Sequence, residues 1–143
     1  MHDGATWKVY CEQVDHGHGL GISHDDWVCL GYRIEIGAKV IVISGDTVDC
    51  ADIMKLACGA DLLVMCSYLA ESEINSPDTA LIARHILASP ATAGKIAAQA
   101  GVKRLVLTHI REKSDLLLQS MVDDSARFFS GDVMVGKDLM HYE

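Results

Sequence analysis

Histidine and aspartate residues stand at positions from which they could bind a divalent cation. Asp46 follows a predicted strand at a glycine turn, and His109 comes directly after the apolar run RLVLT. His16 ends the first predicted strand, and His85 lies in a predicted helix. Imidazole and carboxylate groups are ligands of catalytic metal sites, and the two oxygens of one carboxylate can contact two cations. These four residues are therefore candidates for a metal site of the kind that hydrolases use, with an open position for water.

The elements that must position these side chains alternate between strand and helix. Period-two alternation and short apolar runs predict strands at Trp7–Val14, Trp27–Ile36, Ala38–Ser44, Asp61–Cys66, Arg104–Thr108 and Asp132–Val135. Apolar stripes predict helices at 51–57, Asp78–Ala88, Ala91–Ala100 and Ser114–Phe129. The order predicts a single α/β domain over residues 1–143, with helices covering one face of a mostly apolar sheet.

A glycine-rich segment, residues 16–26, separates the first two predicted strands. It contains three of the seven histidines, His16, His18 and His24, and its three glycines with no apolar periodicity predict a flexible loop. Because such a loop can move, its sequence does not decide which of the three histidines is a ligand.

Each candidate also has a purely structural interpretation. Asp46 in a Gly-Asp-Thr turn could cap the helix that follows. His109 could be a partly buried residue at a strand end, and His85 could lie on a helix surface. Cys50 and Cys66 are predicted to be core thiols, since no neighbouring base is implied by the sequence.

Charge and composition narrow the function further. The formal net charge is −8, and half of the residues are hydrophobic. An acidic surface repels polyanions on average, so nucleic acid is a disfavoured substrate. Five cysteines without a C-x-x-C spacing predict neither a disulfide framework nor a zinc knuckle. The absence of a signal peptide and of a long apolar stretch predicts a soluble cytoplasmic protein.

Several segments in order resemble the second half of the metallo-β-lactamase superfamily, most nearly its ribonuclease-Z-like branch. They are Val14-Asp15-His16, Leu30-Gly31-Tyr32-Arg33-Ile34, Ser44-Gly45-Asp46-Thr47, Ala60-Asp61-Leu62-Leu63 and Leu105-Val106-Leu107-Thr108-His109. The resemblance implies half of an αββα sandwich. It also implies that Asp46 bridges two metals, that His109 binds one of them, and that His16 lies near the same centre as a ligand.

The resemblance extends to a histidine that helps the leaving group depart. His85, ahead of Ala88-Ser89-Pro90 and an alanine-rich helix, resembles it, although Ile86 and Leu87 are extra residues between the histidine and its usual serine.

Departures from the family pattern concern the metal motif and the substrate. The principal motif H-x-H-x-D-H occurs nowhere in the chain, so metal occupancy and activity of this chain alone are expected to be low. Met65-Cys66-Ser67-Tyr68 replaces an H-E-A-T-like segment, and 35–39 is too short for the arm that grips tRNA. These changes argue against tRNA processing.

The sequence thus predicts a hydrolase of esters, lactones or phosphodiesters with small-molecule substrates. Zn²⁺ is the expected metal, and Mn²⁺ or Fe suits the same ligands. One alternative is a non-catalytic binding or scaffold domain that keeps the fold. A second is a ribonuclease-Z-like nuclease that processes tRNA.

The expected sheet also has a consequence for assembly. Runs such as AKVIVIS, DLLVMC and RLVLT are apolar at nearly every position, as in strands buried on both faces, yet the helices can cover only one face. A homodimer that pairs the uncovered faces is therefore expected.

Overall fold

The computed structural model describes residues 6–141, which form one six-stranded sheet and four α-helices. The strands are β1 (Trp7–Gln13), β2 (Leu30–Ile36), β3 (Lys39–Ile43), β4 (Leu62–Cys66), β5 (Arg104–Thr108) and β6 (Asp132–Val135). The helices are α1 (Ala51–Ala57), α2 (Pro77–His85), α3 (Pro90–Gln99) and α4 (Asp115–Ala126). Short 3₁₀ helices occupy His18–Leu20 and Glu71–Glu73.

The sheet follows the order of the chain, β1 to β6. Strands β1, β2 and β3 are antiparallel neighbours, whereas β3 to β6 pair in parallel. The β2–β3 hairpin turns at Gly37, whose φ of 58° suits glycine. Since β1 and β3 run the same way, the carboxyl ends of β1, β3, β4 and β5 meet at one edge of the sheet.

One face of the sheet carries the core. The alternate residues Val42, Leu63, Met65, Leu105 and Leu107 are fully buried beneath helices that follow or precede their strands. Burying one such aliphatic side chain contributes about 1.5–3 kcal/mol, so this face supplies most of the stability of the domain.

The opposite face is largely open, although Val106, which pairs with Val64, is buried. Its central residues Ile41 and Val64 are half-buried, and towards the β1 edge Trp7 and Val9 are 65% and 60% exposed. Cross-strand register places Val9, Ile34 and Ile41 in one row on this face. The prediction of helices on one face of an apolar sheet is therefore confirmed.

Helix ends differ from the sequence-based bounds for local reasons. Helix α2 stops at His85, before the predicted Ala88, and α3 begins at Pro90, where the Ser89 side chain caps it by accepting from the Thr92 N–H. Ser89 precedes Pro90, and the helical conformation is disfavoured for a residue before proline. The extended backbone of Ser89 therefore separates α2 from α3. Within residues 6–141, none of the helices has the length and apolar character needed to cross a bilayer.

Candidate metal centre

A tight turn at the carboxyl end of β3 presents Asp46. Gly45 has a φ of 62°, and a Cβ on it would lie 2.3 Å from the Leu30 carbonyl oxygen, so only glycine fits between the strands here. The N-cap of α1 is Cys50, with no side-chain cap. The alternative that Asp46 caps the following helix is therefore wrong.

Asp46 and His109 contact each other across the strand ends. The His109 Nδ1 lies 2.5 Å from the Asp46 Oδ1, and both side chains are partly exposed. His109 has a φ of 57°, an uncommon conformation for a residue other than glycine. Such strain concentrates at functional sites, where surrounding structure enforces it. The structure thus brings together two of the predicted ligands.

His16 is held so that one ring nitrogen stays available. Its Nδ1 lies 2.7 Å from the Ile86 carbonyl, an acceptor, so Nδ1 carries the proton and Nε2 keeps its lone pair. Metal-binding histidines commonly donate their second ring N–H to a carbonyl in this way, which fixes the tautomer. The observed bond is therefore the one expected of a ligand.

Backbone bonds join the segments that carry His16 and Asp46. The Val48 N–H donates to the Asp15 carbonyl at 2.9 Å, and the Ala88 N–H donates to the Thr47 carbonyl at 2.9 Å. The loop after β3 is thereby fixed between the end of β1 and the segment after α2. His16 nevertheless belongs to no group of three ligand atoms with Asp46 and His109 in the described part of the chain.

The donors present fit a divalent transition metal. Asp46 offers carboxylate oxygens, and His16 and His109 offer imidazole nitrogens, a set that suits zinc and also manganese or iron. Asp46 contacts His109, whereas His16 lies in a neighbouring segment that backbone bonds join to the loop after β3.

A second group of possible ligands lies in the loop between β1 and β2. Asp15, His18 and His24 bring one ligand atom each to within 4.8 Å of one another. His18 and His24 were competitors of His16 in the sequence, and the structure places them with Asp15 instead. Asp15 was not among the predicted site residues, although its place directly before His16 could have drawn attention to it.

His85, the predicted leaving-group acid, ends α2 and faces the same loop. A Cβ on Gly19 would lie 2.3 Å from the His85 Nδ1, so the imidazole packs directly against that glycine. The Gly17 N–H donates to the His85 carbonyl at 2.6 Å. The structure thus places His85 against the loop and shows no contact between it and the Asp46–His109 pair.

Sequence reasoning missed two residues beside His109. The Tyr68 ring meets the His109 ring edge to face, with centroids 5.9 Å apart, and the exposed Arg111 guanidinium lies 5.6 Å from the Tyr68 ring centroid. The sequence signal for this group was the position of Arg111, two residues after His109. Arg111 adds a positive charge near the Asp46–His109 pair in a chain whose net charge is negative.

Cys66 serves the local structure. Its Sγ accepts from the Thr47 N–H at 3.3 Å and donates to the Thr47 carbonyl at 3.2 Å. Burial raises the pKa of the Cys66 thiol, and the negative charge of Asp46 raises it further, although hydrogen bonds lower it. The neutral thiol holds the turn after Asp46, in keeping with the predicted core role.

Known proteins resemble the chain in both sequence and fold. The model of the β-lactamase superfamily domain matches residues 2–110. The chain belongs to the metallo-β-lactamase superfamily. This superfamily chain is 35% identical over 118 residues to ribonuclease Z of Thermobifida fusca (strain YX), covering 77% of this chain and 36% of that protein. Ribonuclease Z of Myxococcus xanthus (strain DK1622) is 36% identical over 98 residues, covering 68% and 30%.

Solved structures show the same metallo-β-lactamase fold. The metallo-β-lactamase fold protein YhfI from Bacillus subtilis superposes with a TM-score of 0.70 at 22% identity, over 92% of this chain and 47% of that one. The short form of human tRNase Z gives 0.63 at 21% identity, over 98% and 44%. The chain is thus a ribonuclease-Z-like member of the superfamily that spans about a third of the length of these curated relatives.

The relatives correct the predicted partner. Small-molecule substrates were expected and nucleic acid was disfavoured, but the curated relatives are ribonucleases, so this prediction is wrong. The net charge of −8 is a sum over the whole chain, whereas a bound phosphodiester interacts mainly with the groups around the site. Arg111 beside Tyr68 and His109 is a local cation that the average conceals.

Proposed function

We propose that this chain supplies part of the metal centre of a ribonuclease-Z-like phosphodiesterase that acts on RNA. The observation that carries the proposal is the Asp46–His109 pair at the strand ends, with the tautomer of His16 fixed nearby. The ribonuclease Z relatives support phosphodiesters over esters and lactones as the substrate class. Zn²⁺ is the proposed metal.

Asp46, His16 and His109 would hold the divalent metal, Asp46 through its carboxylate and the two histidines through ring nitrogens. Bound divalent metal polarises a phosphoryl group and lowers the pKa of water to ~7. The strained His109 backbone and the Gly45 turn hold these donors in place, which limits the rearrangement needed on binding.

Arg111 and His85 have proposed roles towards the substrate. Arg111 is exposed over Tyr68 and can pair with a phosphate oxygen through a charge-assisted hydrogen bond. His85 would protonate the departing oxygen, which requires that its ring turn from Gly19 towards the strand ends.

Cleavage assays test this function. The substrates are a chromogenic phosphodiester and an RNA hairpin with a single-stranded 3′ extension, each with Zn²⁺ or Mn²⁺. The chain alone should hydrolyse them near background, since it supplies only part of the metal centre. A longer protein that contains the chain should lose at least about a hundredfold in rate with Asp46→Ala, and less with His85→Ala. Full activity of the Asp46→Ala protein would refute the metal assignment.

The alternative of a non-catalytic scaffold predicts a different outcome. In that case the longer protein shows no cleavage of either substrate, and Asp46→Ala changes nothing. Binding of the RNA hairpin without cleavage would favour this alternative, and the Arg111→Ala variant would then weaken binding.

We further propose that the 143-residue chain self-associates through the open sheet face. Apolar surface in water costs about 25 cal/mol per Å², and a two-fold dimer is the simplest closed arrangement that covers such a face. Sedimentation at micromolar concentration should show a dimer that Ile41→Glu, in the centre of the face, converts to monomer. Leu116→Glu, at an exposed apolar residue of α4, is the matched control and should leave the dimer intact. A monomeric wild-type chain would overturn the proposal.

A further inference from the structure

Three polar residues of the β1–β2 loop, Asp15, His18 and His24, form a compact loop cluster. The Asp15 Oδ1 lies 3.1 Å from the His24 Nε2 and 3.8 Å from the His18 Nδ1. Ligands of one zinc ion, each bonded at about 2.0–2.2 Å, stand at similar separations from one another. The ligand atoms therefore lie about as far apart as those around one ion, although the stacked rings of His18 and His24 must reorient to bind it.

His18 is locked in one orientation and one tautomer. Its Nε2 donates to the Trp27 carbonyl at 2.8 Å, and its Nδ1 accepts from the His16 N–H at 2.9 Å. The side chain is only 6% exposed. Nδ1 thus carries a lone pair on the side of Asp15, the form of imidazole that binds metals.

His24 carries an unexplained polar atom. Its Nδ1 is buried without a hydrogen-bond partner, and its ring stacks on His18 with centroids 3.8 Å apart. A buried polar atom without a partner costs about 1–3 kcal/mol, and a turn of the ring that brings this nitrogen to an ion would recover that cost. The side chain as a whole is 43% exposed, so the ring has room to turn.

We propose that the loop cluster is a divalent-metal site, distinct from the strand-end centre, with Asp15, His18 and His24 as its ligands. Two nitrogen donors and one oxygen donor favour Zn²⁺ over Ca²⁺ or Mg²⁺, which prefer oxygen. A water molecule can complete a tetrahedral set. The site lies beside His16 in the chain yet shares none of the three ligands assigned to the strand-end centre.

Binding requires two local changes. An ion lies close to the plane of each imidazole that it binds, so it cannot bind both rings while they are stacked. His24 therefore turns out of the stack, which the exposure of its side chain permits. The ion also replaces the His16 N–H at the His18 Nδ1.

Zinc titration of the 143-residue chain tests the site. Calorimetry and metal analysis after dialysis should give about one zinc per chain. His24→Ala and Asp15→Asn should each lower the affinity by at least about tenfold, because each removes a ligand. Asp46→Ala should retain the zinc, and His141→Ala, in the exposed C-terminal segment, controls for adventitious binding to a surface histidine. Circular dichroism checks that each variant is folded.

The outcomes separate this site from the proposed function. Retention of zinc in Asp46→Ala with loss in His24→Ala supports the loop site, whatever the fate of the cleavage assay. Loss in Asp46→Ala with retention in His24→Ala places the ion at the strand ends and overturns the proposal. A wild-type chain without measurable zinc at 100-fold molar excess overturns it as well.

Discussion

The parallel strands have an aspartate beside their amino ends, Asp61, and another beside their carboxyl ends, Asp46. We call these two sides of the sheet the amino edge and the carboxyl edge, and the two aspartates have contrasting surroundings. Asp61, at the amino end of β4, accepts from the Val40 N–H at 2.8 Å and from the Lys103 ammonium at 2.6 Å. Asp46, at the carboxyl end of β3, contacts the His109 ring. The partners of Asp61 are a backbone N–H and a lysine, whereas the partner of Asp46 is another candidate ligand.

This contrast shows how one sheet divides stability from function. At the amino edge, the hydrogen bonds of Asp61 join a backbone N–H and a lysine side chain, so they stabilise the fold. At the carboxyl edge the partners are themselves candidate metal ligands, and the backbone of His109 is strained. Ligand sites in open α/β sheets also lie outside the carboxyl ends of the strands.

The largest expected difference between the edges concerns two glycines with the same backbone conformation. Gly45 and Gly59 have φ values of 62° and 65°, but a Cβ on Gly45 would meet the Leu30 carbonyl, whereas one on Gly59 meets nothing within 4 Å. Gly59→Ala should lower the free energy of unfolding by about 1 kcal/mol, the cost of positive φ. Gly45→Ala adds overpacking and should cost about 3 kcal/mol in total.

Urea denaturation of both variants measures the difference. Gly59→Ala is the matched control, since it introduces the same methyl group at the same φ. Equal losses in the two variants would mean that the β2–β3 strand ends yield, and that the turn before Asp46 is not rigid.

The two aspartates give a smaller effect. Asp61→Asn weakens a backbone hydrogen bond and an ion pair, and should cost about 1 kcal/mol in the free energy of unfolding. Asp46→Asn, at a partly exposed pair, should change it by less than about 0.5 kcal/mol. Thermal and urea unfolding of both metal-free variants provide the comparison. If Asp46→Asn proves the more destabilising, the carboxyl edge contributes stability in its own right.

The regular part of this site could be predicted from sequence. RLVLT followed by His109, and a strand followed by Gly-Asp-Thr, place both side chains at strand ends, and parallel pairing then brings those ends to one edge. Alternation and short apolar runs also identified each strand within residues 6–141. The strand bounds shifted by a few residues at Trp27, because Trp27–Cys29 leads into β2 without regular pairing.

The irregular parts could not be predicted. The positions of His18 and His24 depend on bonds to the Trp27 carbonyl and on ring stacking, which periodicity does not encode. The direction of the His85 ring depends on the small size of Gly19. Contacts of this kind are set by tertiary packing of a glycine-rich loop, so the sequence indicated the candidate residues and not their partners.

The smallest expected effect is a pH dependence of stability that arises from Asp61 at the amino edge. The hydrogen bond from Lys103 lowers the pKa of Asp61, as does the bond from the Val40 N–H. A carboxyl group whose pKa is lower in the folded state stabilises the protein above its unfolded value of about 3.9, and this contribution is lost as pH falls through the folded value. The gap in unfolding free energy between wild type and Asp61→Asn should therefore be constant above about pH 5 and narrow below pH 4. In a Lys103→Met background, which lacks the main cause of the shift, the gap should be smaller above about pH 5. A gap that stays unchanged down to the acid limit of folding would mean that the ion pair at the amino edge contributes no net stability, and that the two edges differ in geometry alone.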